Sequence, residues 1–152
     1  MILIENIVMN GRTIERVQSF KLLGIHISAD LSWDMHVDYL IKKVSKRFIC
    51  IRYLVNAGVR DVDIVEIYCS IIRSVLEYAC PVWHPGLTVK LSKDIERVQK
   101  RCLKMIYRTL TYEEALIKAG IVRLDTRREQ ITKLTFEQIK DENHILHYII
   151  VA

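Results

Sequence analysis

The chain has 152 residues, 51% apolar and 27% charged, with only five glycines and two prolines; this suits one packed domain and disfavours disorder, long linkers and loop-rich β-sandwiches. No window holds 18 uninterrupted apolar residues, and the start lacks the basic region and cleavage site of a secretory signal, so an intracellular protein without a membrane span is expected, cytoplasmic or nuclear. The net charge of +5 is uneven: residues 1–110 hold 17 Lys/Arg against 11 Asp/Glu (+6), residues 111–152 hold 6 against 7 (−1), and the basic part calls for a polyanionic partner.

The N-terminus has the pattern of strands. "ILIENIVM" and "RTIERV" flank Asn10-Gly11, the strongest short hairpin signal. The apolar run 20–28, "FKLLGIHIS", predicts a third strand, with Gly24 as a bulge or a point of close approach. From residue 32 the period turns helical. Ser32 is a plausible N-cap, Val37, Leu40, Ile41, Val44, Phe48, Ile51 and Val55 recur at steps of three and four, and Gly58 supplies a stop. The opposite face carries Lys42, Lys43, Lys46 and Arg47.

Asp61 can cap a second helix that runs to about Ala79 with one narrow polar stripe, and so should be central and buried. Arg73 and Glu77, four apart, can pair along that stripe. Pro81 is expected to stop this helix, with Trp83 packing back on the core. A third helix spans roughly 89–108. Its apolar stripe is Leu91, Ile95, Val98, Cys102 and Met105; its basic stripe is Arg97, Arg101, Lys104 and Arg108, with Lys100 beside it. Thr111-x-x-Glu114 is a capping box for a short helix ended by Gly120, and a last helix begins near Asp125. The fold class is therefore mainly α with a small N-terminal antiparallel β-hairpin and strand, and the chain looks incomplete at both ends.

Few residues suggest catalysis. Cys80 and His84 are close in sequence, but Cys80 falls at a predicted helix C-terminus, where the dipole opposes a thiolate. Cys50, Cys69, Cys80 and Cys102 form no C-x-x-C pair, which points to free buried thiols. His144 and His147 lack a third metal ligand nearby. Phosphate-cradling glycine loops are absent, and so is an aspartate pair following a strand. The basic faces of two helices remain. Set side by side, they could track a nucleic-acid backbone; set apart, they are solvated helix surfaces.

Four segments in order, "VQSFKLLGIHISADLSWDMHVDYLIKK", "IYCSIIRSVLEYACPVWHPGL", "IERVQKRCLKMIY" and "TYEEALIKAGIVRLDTRRE", resemble the C-terminal part of reverse transcriptases of non-LTR (LINE-type, jockey-like) retrotransposons. The resemblance implies that Phe20, Lys21, Leu22, Leu23 and Gly24 occupy a primer-grip hairpin at the end of the palm, with Leu22 where tyrosine is frequent. It implies a thumb-like helical unit over 31–110, following a palm remnant over 1–30 and followed by a helical extension over 111–152. A template–primer duplex, RNA–DNA or DNA, would meet Lys42, Lys43, Lys46, Arg47, Arg97, Lys100, Arg101 and Lys104. The family's divalent metal is held by palm aspartates upstream of this region, so no cofactor, catalytic residue or metal site falls on this chain, and polymerisation by it alone is not expected. A missing polymerase portion supplied in trans would be a partner. Residues 22–83 also resemble the N-terminal module of AlkB-type alkylated-DNA-repair homologues, without that family's iron triad or methyltransferase loop. The expectation is a polymerase fragment with residual sequence-independent nucleic-acid binding; the alternatives are a protein–protein module and an inert pseudogene product.

Overall fold

In a computed structural model that describes residues 7–147, a helical bundle carries two small antiparallel hairpins at its N-terminal end. The fold is mainly helical with a small β portion. The first hairpin pairs β1 (Val8–Met9) with β2 (Arg12–Thr13) across Asn10-Gly11, both at positive φ (51° and 74°), the signature of a type I′ turn. Residues 2–6 of the expected first strand lie outside the described residues.

The run 20–28 is not one strand. It folds into a second hairpin, β3 (Ser19–Leu22) against β4 (Ile25–Ser28), around Leu23-Gly24 at φ 47° and 86°. Gly24 is thus a turn residue, and leucine in the left-handed region explains why the turn left no signal: Leu-Gly is not a turn dipeptide. What approaches Gly24 is a side chain. A Cβ at that position would sit 3.6 Å from Tyr78 Cε1.

Helix α1 (Asp34–Ser45) starts one residue after Trp33, and Ser32 does not cap it; the Ser32 amide instead donates to Asp30 Oδ1 at 3.0 Å. Lys46 and Arg47 interrupt the expected continuous helix, and α2 (Phe48–Asn56) resumes beyond them. The apolar period survives the break, because Lys46 and Arg47 keep right-handed helical dihedrals. Val37, Leu40, Val44, Phe48 and Ile51 are all buried.

Helix α3 (Asp61–Tyr68) passes through a π-helical turn over Cys69–Arg73 into α4 (Ser74–Glu77). Arg60, not Asp61, holds the cap position. The wider turn presents the Ile71 carbonyl outward, and the Arg47 guanidinium donates to it, which ties the α1–α2 junction to the π-turn. The segment is the central one: Ile64, Val65, Tyr68, Ile72 and Leu76 are buried, and Arg73 pairs with Glu77 at 3.3 Å as the spacing predicts.

The helix ends before Pro81. Ala79 takes a left-handed φ of 50°, and Pro81 sits in the first turn of the next short helix, α5 (Cys80–Trp83), where a missing N–H costs nothing. A 3₁₀ turn, His84–Gly86, leads to Thr88, whose hydroxyl accepts from the Leu91 amide at 3.2 Å and caps α6 (Val89–Ile106). The Thr111–Glu114 capping box forms in full, opening α7 (Tyr112–Ala119), and Gly120 closes it at φ 64°. Helix α8 (Leu124–Ile139) follows. Helix α6 packs against α1, α2, α3, α7 and α8, and α5 against α8, so one core runs through the bundle. Each large apolar side chain fully buried there contributes on the order of 2 kcal/mol. The tail beyond residue 147 lies outside the described residues.

Candidate nucleic-acid interface

Helix α6 is the most strongly two-sided element of the fold. Leu91, Ile95, Val98, Cys102, Leu103 and Ile106 are buried on one side, while Arg97, Lys100, Arg101 and Lys104 are exposed on the other. The basic stripe therefore stands clear of the core. Arg97 pairs with Asp94, Lys100 lies 5.9 Å from the Tyr112 ring centroid and Arg101 4.8 Å from that of Phe48. Lys104 and Arg108 enter no ion pair among the described residues.

The structure extends this stripe with a residue the sequence did not single out. Arg52 of α2 lines a cleft of about 410 Å³ with Arg101, Lys104 and Arg108, beside Val55, Asn56 and Met105. No carboxylate lines it. In sequence, Arg52 sits among Ile51, Tyr53, Leu54 and Val55 and belongs to no basic run; only the packing of α2 on α6 brings it to the other three.

The cations of α1 and of the turn after it do not line this cleft. Ile41 and Ser45 face α6 across a small cleft that Arg97 and Arg101 line from the other side. Lys42 and Lys46 are exposed, Lys42 paired with Asp38 at 2.6 Å. Lys43 turns toward the second hairpin, lining a cleft with Leu23, Gly24, Tyr39 and Tyr78. Arg47 is half-buried on the Ile71 carbonyl.

The hairpin of Phe20, Lys21, Leu22, Leu23 and Gly24 is fixed to the bundle at its tip. The Tyr78 hydroxyl donates to the Leu23 carbonyl at 3.1 Å, and Lys21 Nζ donates to Tyr39 Oη at 3.3 Å while lying 4.5 Å from its ring centroid. Phe20, Leu22 and Leu23 remain exposed, Leu23 by 81%. Tyr78 also organises the corner beyond α4, since its carbonyl accepts from Trp83 Nε1 at 3.0 Å.

Cys80 is not at a helix C-terminus; it opens α5, and burial rather than a helix dipole opposes its thiolate. Burial pushes its thiol up to about 11. His84 faces Arg128, whose Nε donates to its Nδ1 at 3.4 Å, and burial together with that cation lowers its pKa. The four thiols are not uniformly buried: Cys80 and Cys102 are, Cys69 is half-buried and Cys50 is exposed. Among the described residues no three His, Cys, Asp or Glu side chains gather as a metal site, and no helix is long and apolar enough to cross a membrane.

A polar network supports the α6–α7–α8 side. Glu96, nearly buried, accepts from the Leu124 amide at 3.2 Å and the Asp125 amide at 3.0 Å, which caps α8 with a full negative charge, and it also accepts from the Tyr112 hydroxyl. Burial and the Glu96 bond both raise the Tyr112 pKa. Glu96 reads in sequence as a surface carboxylate on a charged helix; its capping role needed the tertiary fold.

These features define a mainly helical protein with a cation-lined, carboxylate-free cleft. The chain is 28% identical over 116 residues to a retrovirus-related Pol polyprotein from the type-1 retrotransposable element R1 4 of Nasonia vitripennis, a match covering 74% of this chain and 30% of that polyprotein. It is thus distantly similar to a retrotransposon Pol polyprotein and spans less than a third of it. No family model and no solved structure matches the chain.

Proposed function

We infer that this chain is a reverse-transcriptase-like segment whose role is sequence-independent binding of a nucleic-acid duplex, an RNA–DNA hybrid or DNA, within a thumb-like helical unit. The observation that carries this is the convergence of Arg52, Arg101, Lys104 and Arg108 on one cleft without a carboxylate. Such a surface neutralises backbone phosphates and releases their counterions. Support for the class comes from the similarity to a Pol polyprotein. The pinned β3–β4 hairpin suits a primer-grip element, with Lys21 and the exposed tip beside Lys43 as its strand-facing side. Among the described residues no three His, Cys, Asp or Glu side chains gather as a metal site, and no polymerisation step is assigned to them.

Fluorescence anisotropy of a labelled RNA–DNA hybrid between about 50 and 200 mM salt tests this. Each phosphate contact adds about 0.9 to the slope of log affinity against log salt, so Arg101→Ala with Lys104→Ala should lower it by about two. An unchanged slope, or no binding at the lowest salt, would refute the assignment.

A second reading has its own observation. Ile7, Val8, Met9, Ile14, Val17 and Phe20 are exposed on and between two short hairpins with open edges, which suits docking on a further protein segment, such as a polymerase portion in trans. Sedimentation with and without such a segment, supplied as a separate chain, distinguishes the two.

A further inference from the structure

Two clefts meet along one edge of α6. The cation-lined cleft between α2 and α6 has been described. The other, about 630 Å³, opens between α6 and α7, and its inner wall is Leu103, Met105, Leu110 and Ala115. Arg97, Lys100, Arg101 and Lys104 rim it on the α6 side, and the half-buried Tyr112 ring adds an aromatic wall. Arg101, Lys104 and Met105 line both clefts, so the two adjoin. Neither has a carboxylate in its lining.

A duplex backbone explains only half of this arrangement. Phosphates satisfy the cations between α2 and α6 but leave the apolar groove between α6 and α7 empty. The groove falls within the roughly 300–1,000 Å³ range of sites that enclose small organic ligands. Its apolar wall beside a cluster of cations suits an occupant that joins an apolar group to an anion. A nucleotide has that composition, and bases stack on aromatic and apolar walls without regard to sequence.

We propose that the adjoining clefts bind one nucleotide unit, with its base in the α6–α7 groove and its phosphate among Arg52, Arg101, Lys104 and Arg108. The unit can be a free nucleoside phosphate or an unpaired nucleotide of a strand; the second source deepens the duplex-binding assignment above and rests on it. Arg52 and Arg108 then position phosphate, Leu110 and Tyr112 contact the base, and Arg101 and Lys104 stand between the two compartments.

Four probes separate the possibilities: ATP, inorganic tripolyphosphate, a blunt RNA–DNA hybrid, and the same hybrid with a short 3′ overhang carrying 2-aminopurine. ATP should bind at least about fivefold more tightly than tripolyphosphate, and the overhang hybrid about tenfold more tightly than the blunt one, with a change in 2-aminopurine emission. Leu110→Gln, at a half-buried rim position, should remove both preferences while leaving blunt-hybrid binding within about twofold. Arg108→Ala should weaken all four probes, and circular dichroism checks that both variants fold.

Equal binding of ATP and tripolyphosphate, with equal binding of blunt and overhang hybrids, would overturn the nucleotide site and leave duplex binding standing. Base-dependent ATP binding without hybrid binding at low salt would sustain the site and refute the duplex assignment. An acidic amphipathic peptide that displaces ATP and binds more tightly than either hybrid would overturn the proposal in favour of a protein ligand.

Discussion

Tyr68 donates its hydroxyl hydrogen to Gln99 Oε1 at 2.8 Å where α3 crosses α6, and both side chains are fully buried. The Gln99 amide nitrogen donates to Tyr112 Oη and to the Val122 carbonyl, each at 3.0 Å. One glutamine thereby joins three helices and the loop before α8. Gln99→Leu would strand the Tyr68 hydroxyl in the core, and it would leave the carbonyl of the exposed Val122 to water, so a loss of about 1–3 kcal/mol is expected in urea unfolding. Adding Tyr68→Phe should recover about 1 kcal/mol, because it removes one stranded group. A Gln99→Leu protein as stable as the parent would show that the network contributes nothing.

His36 is fully buried between the rings of Trp33 and Trp83, and its Nδ1 accepts from the His26 amide at 3.4 Å. Burial, with a smaller contribution from His26, lowers its pKa from 6.5 to about 4. The unfolded chain takes up that proton first, so the stability held above pH 6.5 is lost as pH falls toward 4. The loss should approach about 3 kcal/mol, since each tenfold drop in proton affinity is worth roughly 1.4 kcal/mol. His84, also lowered, adds to it in the same direction. His36→Gln should flatten the denaturation midpoint across that window; an equally steep profile would assign the acid sensitivity elsewhere.

Thiol labelling should sort the cysteines by burial. Cys50 is exposed and should react first with a maleimide at neutral pH, whereas Cys80 and Cys102 should react only as the protein unfolds. Burial raises both thiols, Cys80 to about 11. Rapid Cys80 labelling in the folded state would mean that the corner closed by Trp83 opens readily.

The tip of the second hairpin offers a backbone test. Gly24→Ala leaves room for its methyl group, 3.6 Å from Tyr78 Cε1, but forces a side chain into the left-handed region at φ 86°. A cost of about 1–2 kcal/mol is expected, confined to the hairpin and read as faster amide exchange in β3 and β4. Tyr78→Phe, which removes the bond to the Leu23 carbonyl, should accelerate the same amides with little effect on the bundle.

Much of the helical architecture was legible because its signals are local. The apolar period in α1, α2 and α6, the Thr111–Glu114 capping box and the Asn10-Gly11 turn each depend on residues within a few positions of one another. The structure departs from the local signals where a distant group decides. Leu23 turns with a left-handed backbone against its own preference, its carbonyl held by Tyr78. Ala79, not Pro81, ends the central helix, and the Tyr78 carbonyl freed there is held by the Trp83 indole.

The candidate surface divides in the same way. Helical spacing alone places Arg97, Arg101 and Lys104 together, so the amino-acid order of α6 is enough to set a basic stripe opposite an apolar one. Which other cations join that stripe depends on packing. Arg52 shares its cleft, whereas Lys43 lines the cleft beside the second hairpin and Arg47 bonds the Ile71 carbonyl. A helix buries one arc of its circumference, and the packing angle between two helices, set by side chains far apart in the chain, selects which flanking residues meet.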